Sequence, residues 1–493
     1  MESIAQALRR NAAARPDKPA VVSGESGFRY AELWAHACAC AQWLSIRGVR
    51  HGDRVVIRAA SNDLWGVVAY FGVHLAGAIA VPLDSKAQES NVNPVVARVE
   101  PALTLEGTAL DELRRFALQP GHDLGGLEDA LPPVHLEDIA DILFTSGSTG
   151  QQKGVMLTHA NIAASTQNII SFIGNDASDR EVCTVPLNHS FGLGRLRCNM
   201  VAGGTLILVP GLRFPALVFK ALATHRATGL SCVPSGLAVL LRSAGERLGA
   251  RAGSLRYMEM GSERMDAAAK RELMELLPAT RICMHYGLTE ASRSAFTEFH
   301  RDASRLDSVG KASPNVTIAI CDEAGTALPP GESGRIRVRA ATVMKSYWRD
   351  PERTRSVLDE QGWFDTGDLG YLDADGYLYL QGRSDDVINV GGRKVYPATV
   401  EEAALKYPGV TEAACVAAPD PEGLVAEVPV LYVVADGSAP LDSAGLRRFL
   451  ETVVERYAVP RQVRCVDALP KTASGKIQRS VLKAQAFRDP SAR

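Results

Sequence analysis

The chain has 493 residues, 46% of them apolar and 22% charged, with 43 Gly and 26 Pro; this excludes disorder as the main state and allows two to four domains of roughly 150 residues. Its 54 Lys plus Arg against 56 Asp plus Glu leave a net charge of −2, and a pI near 6.6 lacks the clustered basic surplus that a nucleic-acid grip wants. The nine cysteines are scattered, with Cys38 and Cys40 closest and no C-x-x-C, so neither a disulfide framework nor a zinc site is expected, and a reducing cytoplasm fits.

The N-terminus opens M-E-S-I-A-Q-A-L-R-R and shows no apolar signal core. Residues 64–83 carry no formal charge, a length that meets the threshold for a membrane helix. Pro82, His74 and three glycines break that run, which favours a buried helix, a turn near Gly77 and a short strand ending at Pro82. The Gly/Pro-rich stretch 119–133 reads as a surface excursion. Ile139–Phe144 is an apolar strand that runs into a Gly/Ser/Thr loop, and Val155–Leu157 is a second strand. Ile162, Thr166, Ile169 and Ile170 then sit at helical spacing behind Thr158, a candidate N-cap. Further strands are predicted at Val182–Val185, Thr205–Val209, Leu230–Val233, Leu255–Met260 and Ile282–Tyr286. This βα alternation favours helices packed around mostly parallel sheets. Ile336 and Val338 alternate with arginines, as in a half-exposed strand. From about residue 385 a smaller α+β unit follows, with strands near 413–418, 428–435 and 461–466 and a helix near 441–457.

The strongest local signal is T-S-G-S-T-G-Q-Q-K-G at 145–154. Its small residues let backbone N–H groups turn toward an anion, Thr145, Ser146, Ser148 and Thr149 add hydroxyl donors, and Lys153 adds a charge. A Walker-type loop is excluded: counting from Gly147, the second required glycine falls at Gln152, and Gly154 follows the lysine. A plain surface loop is the remaining alternative from these residues alone.

The loop resembles the signature of the adenylate-forming superfamily, which includes acyl-CoA synthetases, aryl-CoA ligases, luciferases and peptide-synthetase adenylation domains. The resemblance runs through nearly the whole chain, because the family's other motifs follow in order. It implies that Gly147 and Gly150 belong to the cradle with the hydroxyl residues and Lys153. In H-Y-G-L-T-E, from His285 and Tyr286 through Gly287, it implies that Tyr286 stacks on adenine, Thr289 touches phosphate and Glu290 helps hold Mg²⁺, a hard cation that wants carboxylate oxygen. Read alone, that stretch is a turn into a helix. Gly261, Ser262 and Glu263 resemble the segment between adenine and the acyl pocket. W-F-D-T-G-D-L-G at 363–370 resembles the ribose motif, with Asp368 accepting from the hydroxyls. G-R-S-D-D-V-I-N-V-G-G at 382–392 resembles the hinge motif: Arg383 would contact nucleotide, Asp385 falls at the hinge, and Gly391 and Gly392 would line the thiol tunnel. Its plain alternative is a hairpin turn. P-K-T-A-S-G-K-I-Q-R at 470–479 resembles the catalytic-lysine motif, in which Lys476 would bridge the acid and the α-phosphate.

His189, in P-L-N-H-S-F-G-L-G, resembles the acid-pocket motif of acyl- and aryl-CoA ligases and would gate the pocket. Amino-acid-activating relatives carry an Asp there to pair with the substrate ammonium. This chain has none, which disfavours an α-amino acid. Arg195, Arg197 and Arg293 depart from the usual apolar character of the region. They are either solvated or ion-paired, or Arg195 or Arg293 reads a second anionic or polar group on the substrate.

The resemblance implies an α/β fold: a large N-terminal domain (1–384) of mixed sheets packed with helices, plus a small mobile α+β C-terminal domain (385–493) carrying the catalytic lysine. It implies ATP-dependent activation of a small carboxylic acid to an acyl-adenylate with release of pyrophosphate, then transfer to coenzyme A, with ATP and Mg²⁺ required. A carrier-protein phosphopantetheine thiol is the alternative acceptor. A non-catalytic nucleotide-binding scaffold is the alternative of another class, but it should have lost catalytic positions, and Lys153, Glu290, Asp368, Arg383 and Lys476 are all present.

Overall fold

The apolar runs of the first 300 residues become two sheets. In the computed structural model, which describes all residues except 1, 61, 120–130, 147–151, 213, 251–252, 421, 423, 438–439, 472–476 and 489–493, the larger sheet has nine strands. At its centre Tyr257–Met260, Gly229–Cys232, Arg180–Cys183 and Thr205–Leu208 run parallel in that spatial order. Nearly every residue in these four strands is buried, which is what a parallel sheet with helices on both faces demands. Arg281–Leu288 joins Tyr257–Met260 in parallel, and Ala291–Glu298 returns antiparallel to it. The stretch H-Y-G-L-T-E therefore lies in a β-hairpin and does not turn into a helix. Ala295, Phe296 and their neighbours continue a buried ladder, so cross-strand pairing outcompetes local helix formation there.

The second sheet has six strands, in the order Ser346–Tyr347, Gln152–Thr158, Ile139–Ser146, Ile79–Pro82, Arg54–Ile57 and Leu103–Leu105. Residues 64–83 form the helix Leu64–Leu75, capped by Asp63, then a turn with Gly77 at φ +67°, then the strand Ile79–Pro82. No described helix is long and apolar enough to cross a membrane. Thr158 caps the helix His159–Ile173 in a reciprocal capping box with Asn161. The strand from Ile139 outlasts its apolar run because the hairpin ladder continues through Thr145↔Lys153 and Ser146↔Gln152. The phosphate-loop signature thus begins inside a strand. The predicted excursion at 119–133 falls largely outside the described residues.

The chain divides into two compact units, residues 1–318 with 338–364, and residues 319–337 with 365–493. The 384/385 boundary read from the sequence falls within the second of these, in the short turn Ser384–Asp386. In this unit Val410–Pro419 and Glu427–Ala435 pair antiparallel, and Gln462–Cys465 adds in parallel. Alternation along the first strand sorts its residues onto two covered faces: Ala413, Cys415 and Ala417 pack with Leu446 and Leu450, whereas Ala414, Val416 and Ala418 pack with Leu469 and Leu482. The helix expected over 441–457 spans only Ser443–Val453. Asp442 caps it, Leu446 and Leu450 are its buried positions, and Val453 is already exposed.

Candidate active site

The strands Ile139–Ser146 and Gln152–Thr158 hold the two arms of the glycine-rich loop. Gly147, Ser148, Thr149 and Gly150 lie outside the described residues, and of Ser146 the backbone pairing is what is described. Thr145 presents a buried hydroxyl oxygen that has no hydrogen-bond partner among the described residues, the kind of donor a phosphate oxygen would satisfy. Lys153, opposite Thr145, forms an ion pair with Glu290 across the sheet edge. Tyr347 completes the cluster: its hydroxyl donates to Glu290 Oε1 at 2.8 Å and accepts from Lys153 Nζ at 2.9 Å. The Glu290 carboxylate is 3% exposed, and this lysine supplies its compensating charge.

Glu290 and the half-buried Thr289 occupy the tip of the hairpin Arg281–Leu288/Ala291–Glu298, with Tyr286 and Gly287 on the strand leading to it. His285 packs edge-on against Phe191 with ring centroids 4.8 Å apart. A Cβ on Gly261 would lie 2.1 Å from His285 Nε2, so that position is glycine because the imidazole occupies the space. Ser262 follows at φ +70°, a left-handed conformation uncommon for serine and of the sort that clusters at functional sites. Glu263 accepts from the backbone N–H of Ser235 at 2.8 Å and from its hydroxyl at 2.9 Å, which ties this turn to the helix Pro234–Gly249.

His189 is exposed at the N-cap of the helix Ser190–Ala202. The three arginines flagged nearby are ion-paired in the interior. Arg195, fully buried, grips Glu181 with Nε at 2.7 Å and Nη2 at 2.6 Å and lies 2.8 Å from Glu259 through Nη1. Arg293, 2% exposed, meets the same Glu259 at 3.3 Å and donates to the carbonyls of Ser190 at 3.1 Å and Phe191 at 3.2 Å. Arg197 pairs with buried Asp141, which also receives Tyr70 at 3.0 Å and contacts His74 at 2.8 Å. Of the two readings, the structure shows the ion-paired one: Arg195 donates to Glu181 through Nε and Nη2 and lies within ion-pair distance of Glu259 through Nη1, and Arg293 bonds Glu259, Ser292 and the carbonyls of Ser190 and Phe191, so neither is displayed as a reader of a second anionic group. Burial pushes the Glu259 carboxyl up, but Arg195 and Arg293 outweigh it and hold the group well below the carboxylate range. Burial, then Arg293, lowers His285, which keeps the ring neutral. Two carboxylates thus balance two guanidinium groups.

In the second unit Asp368 pairs in register with Arg383, and the two form an ion pair at 2.9 Å. Arg383 also donates to the carbonyl of Thr366 at 2.9 Å. Asp385 is exposed in the turn Ser384–Asp386. Gly391 and Gly392, at φ +58° and +86°, form the turn of the hairpin Ile388–Val390/Arg393–Val395, a pair of left-handed residues that glycine tolerates best. Lys476 lies outside the described residues; its flanks Lys471 and Ile477 bridge antiparallel.

The structure thus brings Thr145, Lys153, Thr289 and Glu290 to one place and seats His189 on the helix that Arg293 anchors. Sequence reasoning missed Tyr347, an aromatic in S-Y-W-R with no local pattern to mark it. It also missed Glu181 and Glu259; for Glu259 a signal existed, because it is the only charge in the short strand Tyr257–Met260, whereas Glu181 follows Arg180 in its strand and carries no such mark. No three His, Cys, Asp or Glu among the described residues gather into a metal cage. Glu290 nevertheless fits Mg²⁺, because that ion, arriving with a nucleotide, takes one or two carboxylates plus phosphate and water oxygens.

The family model for AMP-binding enzymes matches residues 8–348, and that for the AMP-binding enzyme C-terminal domain matches residues 399–476. The chain is 33% identical to a feruloyl-CoA synthase of Amycolatopsis, with 95% of this chain and 96% of the relative covered. ATP-bound MatB from Rhodopseudomonas palustris superposes with a TM-score of 0.86 at 29% identity, covering 98% of each chain. The o-succinylbenzoate CoA synthetase of Bacillus subtilis, in complex with its acyl-adenylate intermediate, gives a TM-score of 0.83 at 28% identity over 97% of each chain. The same enzyme with ATP and magnesium ion gives 0.82 at 28% identity, covering 96% of this chain and 98% of that one.

Proposed function

The chain belongs to the AMP-binding enzyme family, and from that membership we propose how its residues divide the work of an AMP-forming acid–thiol ligase. The reaction activates a carboxylic acid with ATP, releases pyrophosphate and passes the acyl group to coenzyme A with release of AMP. A carboxylate needs this activation because its charge repels nucleophiles and oxide is a poor leaving group. The observation that carries the assignment of roles is the meeting of Lys153 and Glu290 beside the buried hydroxyl of Thr145.

The loop residues Thr145 to Gly150 cradle the β- and γ-phosphates, and Lys153 adds charge to the leaving pyrophosphate. Mg²⁺, when bound, supplies positive charge that offsets the negative charge of the phosphates. Glu290 holds that ion, Thr289 orients a phosphate, and Tyr286 packs on the purine. Gly261, Ser262 and Glu263 shape the wall between purine and acid, His189 stands at the acid's entrance, and His285 belongs with Tyr286 and Gly287 to the nucleotide side. Asp368 accepts from the ribose hydroxyls and Arg383 contacts the nucleotide. Lys476 stabilises charge as the acid oxygen attacks the α-phosphorus. The C-terminal domain, 385–493, then turns about Asp385, which withdraws Lys476 and brings Gly391 and Gly392 against the thiol arm.

The names of the relatives favour coenzyme A over a carrier protein. With Arg195 and Arg293 spent on Glu181 and Glu259, these arginines give no preference for dicarboxylates. The test is ATP–pyrophosphate exchange over a panel of alkyl, aryl and dicarboxylic acids, followed by thioester formation with coenzyme A and with a carrier protein. Exchange with at least one acid and thioester with coenzyme A are expected. Exchange with no acid would overturn the reading in favour of a scaffold.

A further inference from the structure

The Lys153–Glu290 pair poses a problem of charge. A buried carboxylate needs a compensating cation, and in this structure Lys153 provides it. The same lysine is the charge that a polyphosphate recruits. When it turns to phosphate, Glu290 loses both its neutralising partner and a contact that fixes its orientation. An incoming cation can replace the charge, but it cannot hold the carboxylate in place before it arrives.

Tyr347 is placed to do that. Its hydroxyl donates to Glu290 Oε1 at 2.8 Å and accepts from Lys153 Nζ at 2.9 Å, and Nζ also lies 4.9 Å from the centre of the tyrosine ring. The side chain is buried, with the residue 3% exposed. Its backbone is tied to both partners. The strand Ser346–Tyr347 pairs with Gln152–Thr158 through Tyr347↔Val155, and Trp348 N–H donates to Gly154 O at 2.7 Å. On the other side Met344 N–H donates to Glu290 O at 2.8 Å, and Val343 bridges Ala291. The segment 343–348 therefore fixes the phenol relative to the lysine's strand and to the glutamate's backbone alike.

We infer that Tyr347 is a positioning residue: it keeps the Glu290 carboxylate aimed while Lys153 moves from carboxylate to phosphate. The inference rests on the roles proposed above for Lys153 and Glu290. With Oε1 held by the phenol, Oε2 is the oxygen left to meet the cation. The phenol oxygen also accepts from the lysine until it leaves for phosphate.

The test uses the full chain and needs no turnover. Binding of α,β-methylene ATP is measured by calorimetry across a Mg²⁺ series for the wild type and for Tyr347→Phe, which keeps the buried ring. A lost hydrogen bond to a charged group raises the half-saturating Mg²⁺ by about tenfold, while nucleotide binding without Mg²⁺ stays within about twofold. In a Glu290→Gln background, adding Tyr347→Phe changes the Mg²⁺ dependence by less than about twofold. An unchanged Mg²⁺ half-saturation overturns the inference, as does an equal loss with and without Mg²⁺. An undiminished effect in the Glu290→Gln background also overturns it, since a merely structural tyrosine would act there too. A wild-type chain that binds no nucleotide at any Mg²⁺ concentration removes the ATP-site reading itself, and the inference with it.

Discussion

Gly194→Ala sets two opposing terms against each other at the acid side of the site. In a helix interior alanine is favoured over glycine by about 1 kcal/mol. Here, however, the added Cβ would lie 2.6 Å from Arg293 Nη1, 2.8 Å from Nη2 and 2.9 Å from Cζ. The guanidinium cannot step aside freely, because it is bonded to Ser190 O at 3.1 Å, Phe191 O at 3.2 Å and Glu259 at 3.3 Å. An ordinary contact requires a retreat of close to an ångström by Nη1 and Nη2, which breaks the two bonds to the Ser190 and Phe191 carbonyls. Losing two bonds of this charged kind costs about 3 kcal/mol. The net expectation is a loss of about 2 kcal/mol in the urea unfolding of the variant. The alternative relief is a shift of the helix, which carries His189 with it. The KM for the acid therefore rises several-fold, while the KM for ATP stays within about twofold. An unchanged or raised urea midpoint, with the acid KM unmoved, would show that Arg293 does not anchor this helix.

Lys476→Ala is expected to abolish pyrophosphate exchange yet retain much of the thioester step from preformed acyl-adenylate; equal loss in both half-reactions would contradict the domain turn. Gly392→Val, at a position with φ +86° in a hairpin turn, should spare exchange and block thioester formation, and exchange falling in step with thioester output would count against a tunnel role. His159 is pushed down to about 3, by burial first and by His74 second. The folded chain therefore keeps it neutral while the unfolded chain protonates it near 6.5, so its contribution is complete above that pH and is lost as the pH falls toward 3. At pH 5 the loss is about 2 kcal/mol, and His159→Gln should show a correspondingly shallower fall in stability between pH 7 and pH 5 in urea titrations. A variant with the wild-type slope would refute this.

What the sequence disclosed was what neighbouring residues decide. Thr158 announces its helix through a hydroxyl that reaches three residues on, and the broken run at 64–83 yields its helix and strand from Gly77 and Pro82. The glycine-rich loop, the hairpin motif and the ribose motif were legible because each packs its chemistry into a few consecutive positions. The tyrosine at 347 was not, because its partners come from strands remote in the chain and meet only through sheet pairing. The arginines at 195 and 293 were visible as anomalies, but their meaning depended on Glu181 and Glu259 lying on strands flanking Gly229–Cys232. The expected turn into a helix at 286–290 failed for a related reason: strand pairing across Tyr286↔Ala295 is a long-range preference that local propensity does not contain.

The most direct test of the central claim is the fate of ATP incubated with the purified chain, Mg²⁺, coenzyme A and an acid that supports exchange. Cleavage between the α- and β-phosphorus atoms yields AMP and pyrophosphate in equal amounts, in step with the acyl thioester, and this is the expected result. Release of ADP and orthophosphate, with or without product, would contradict it.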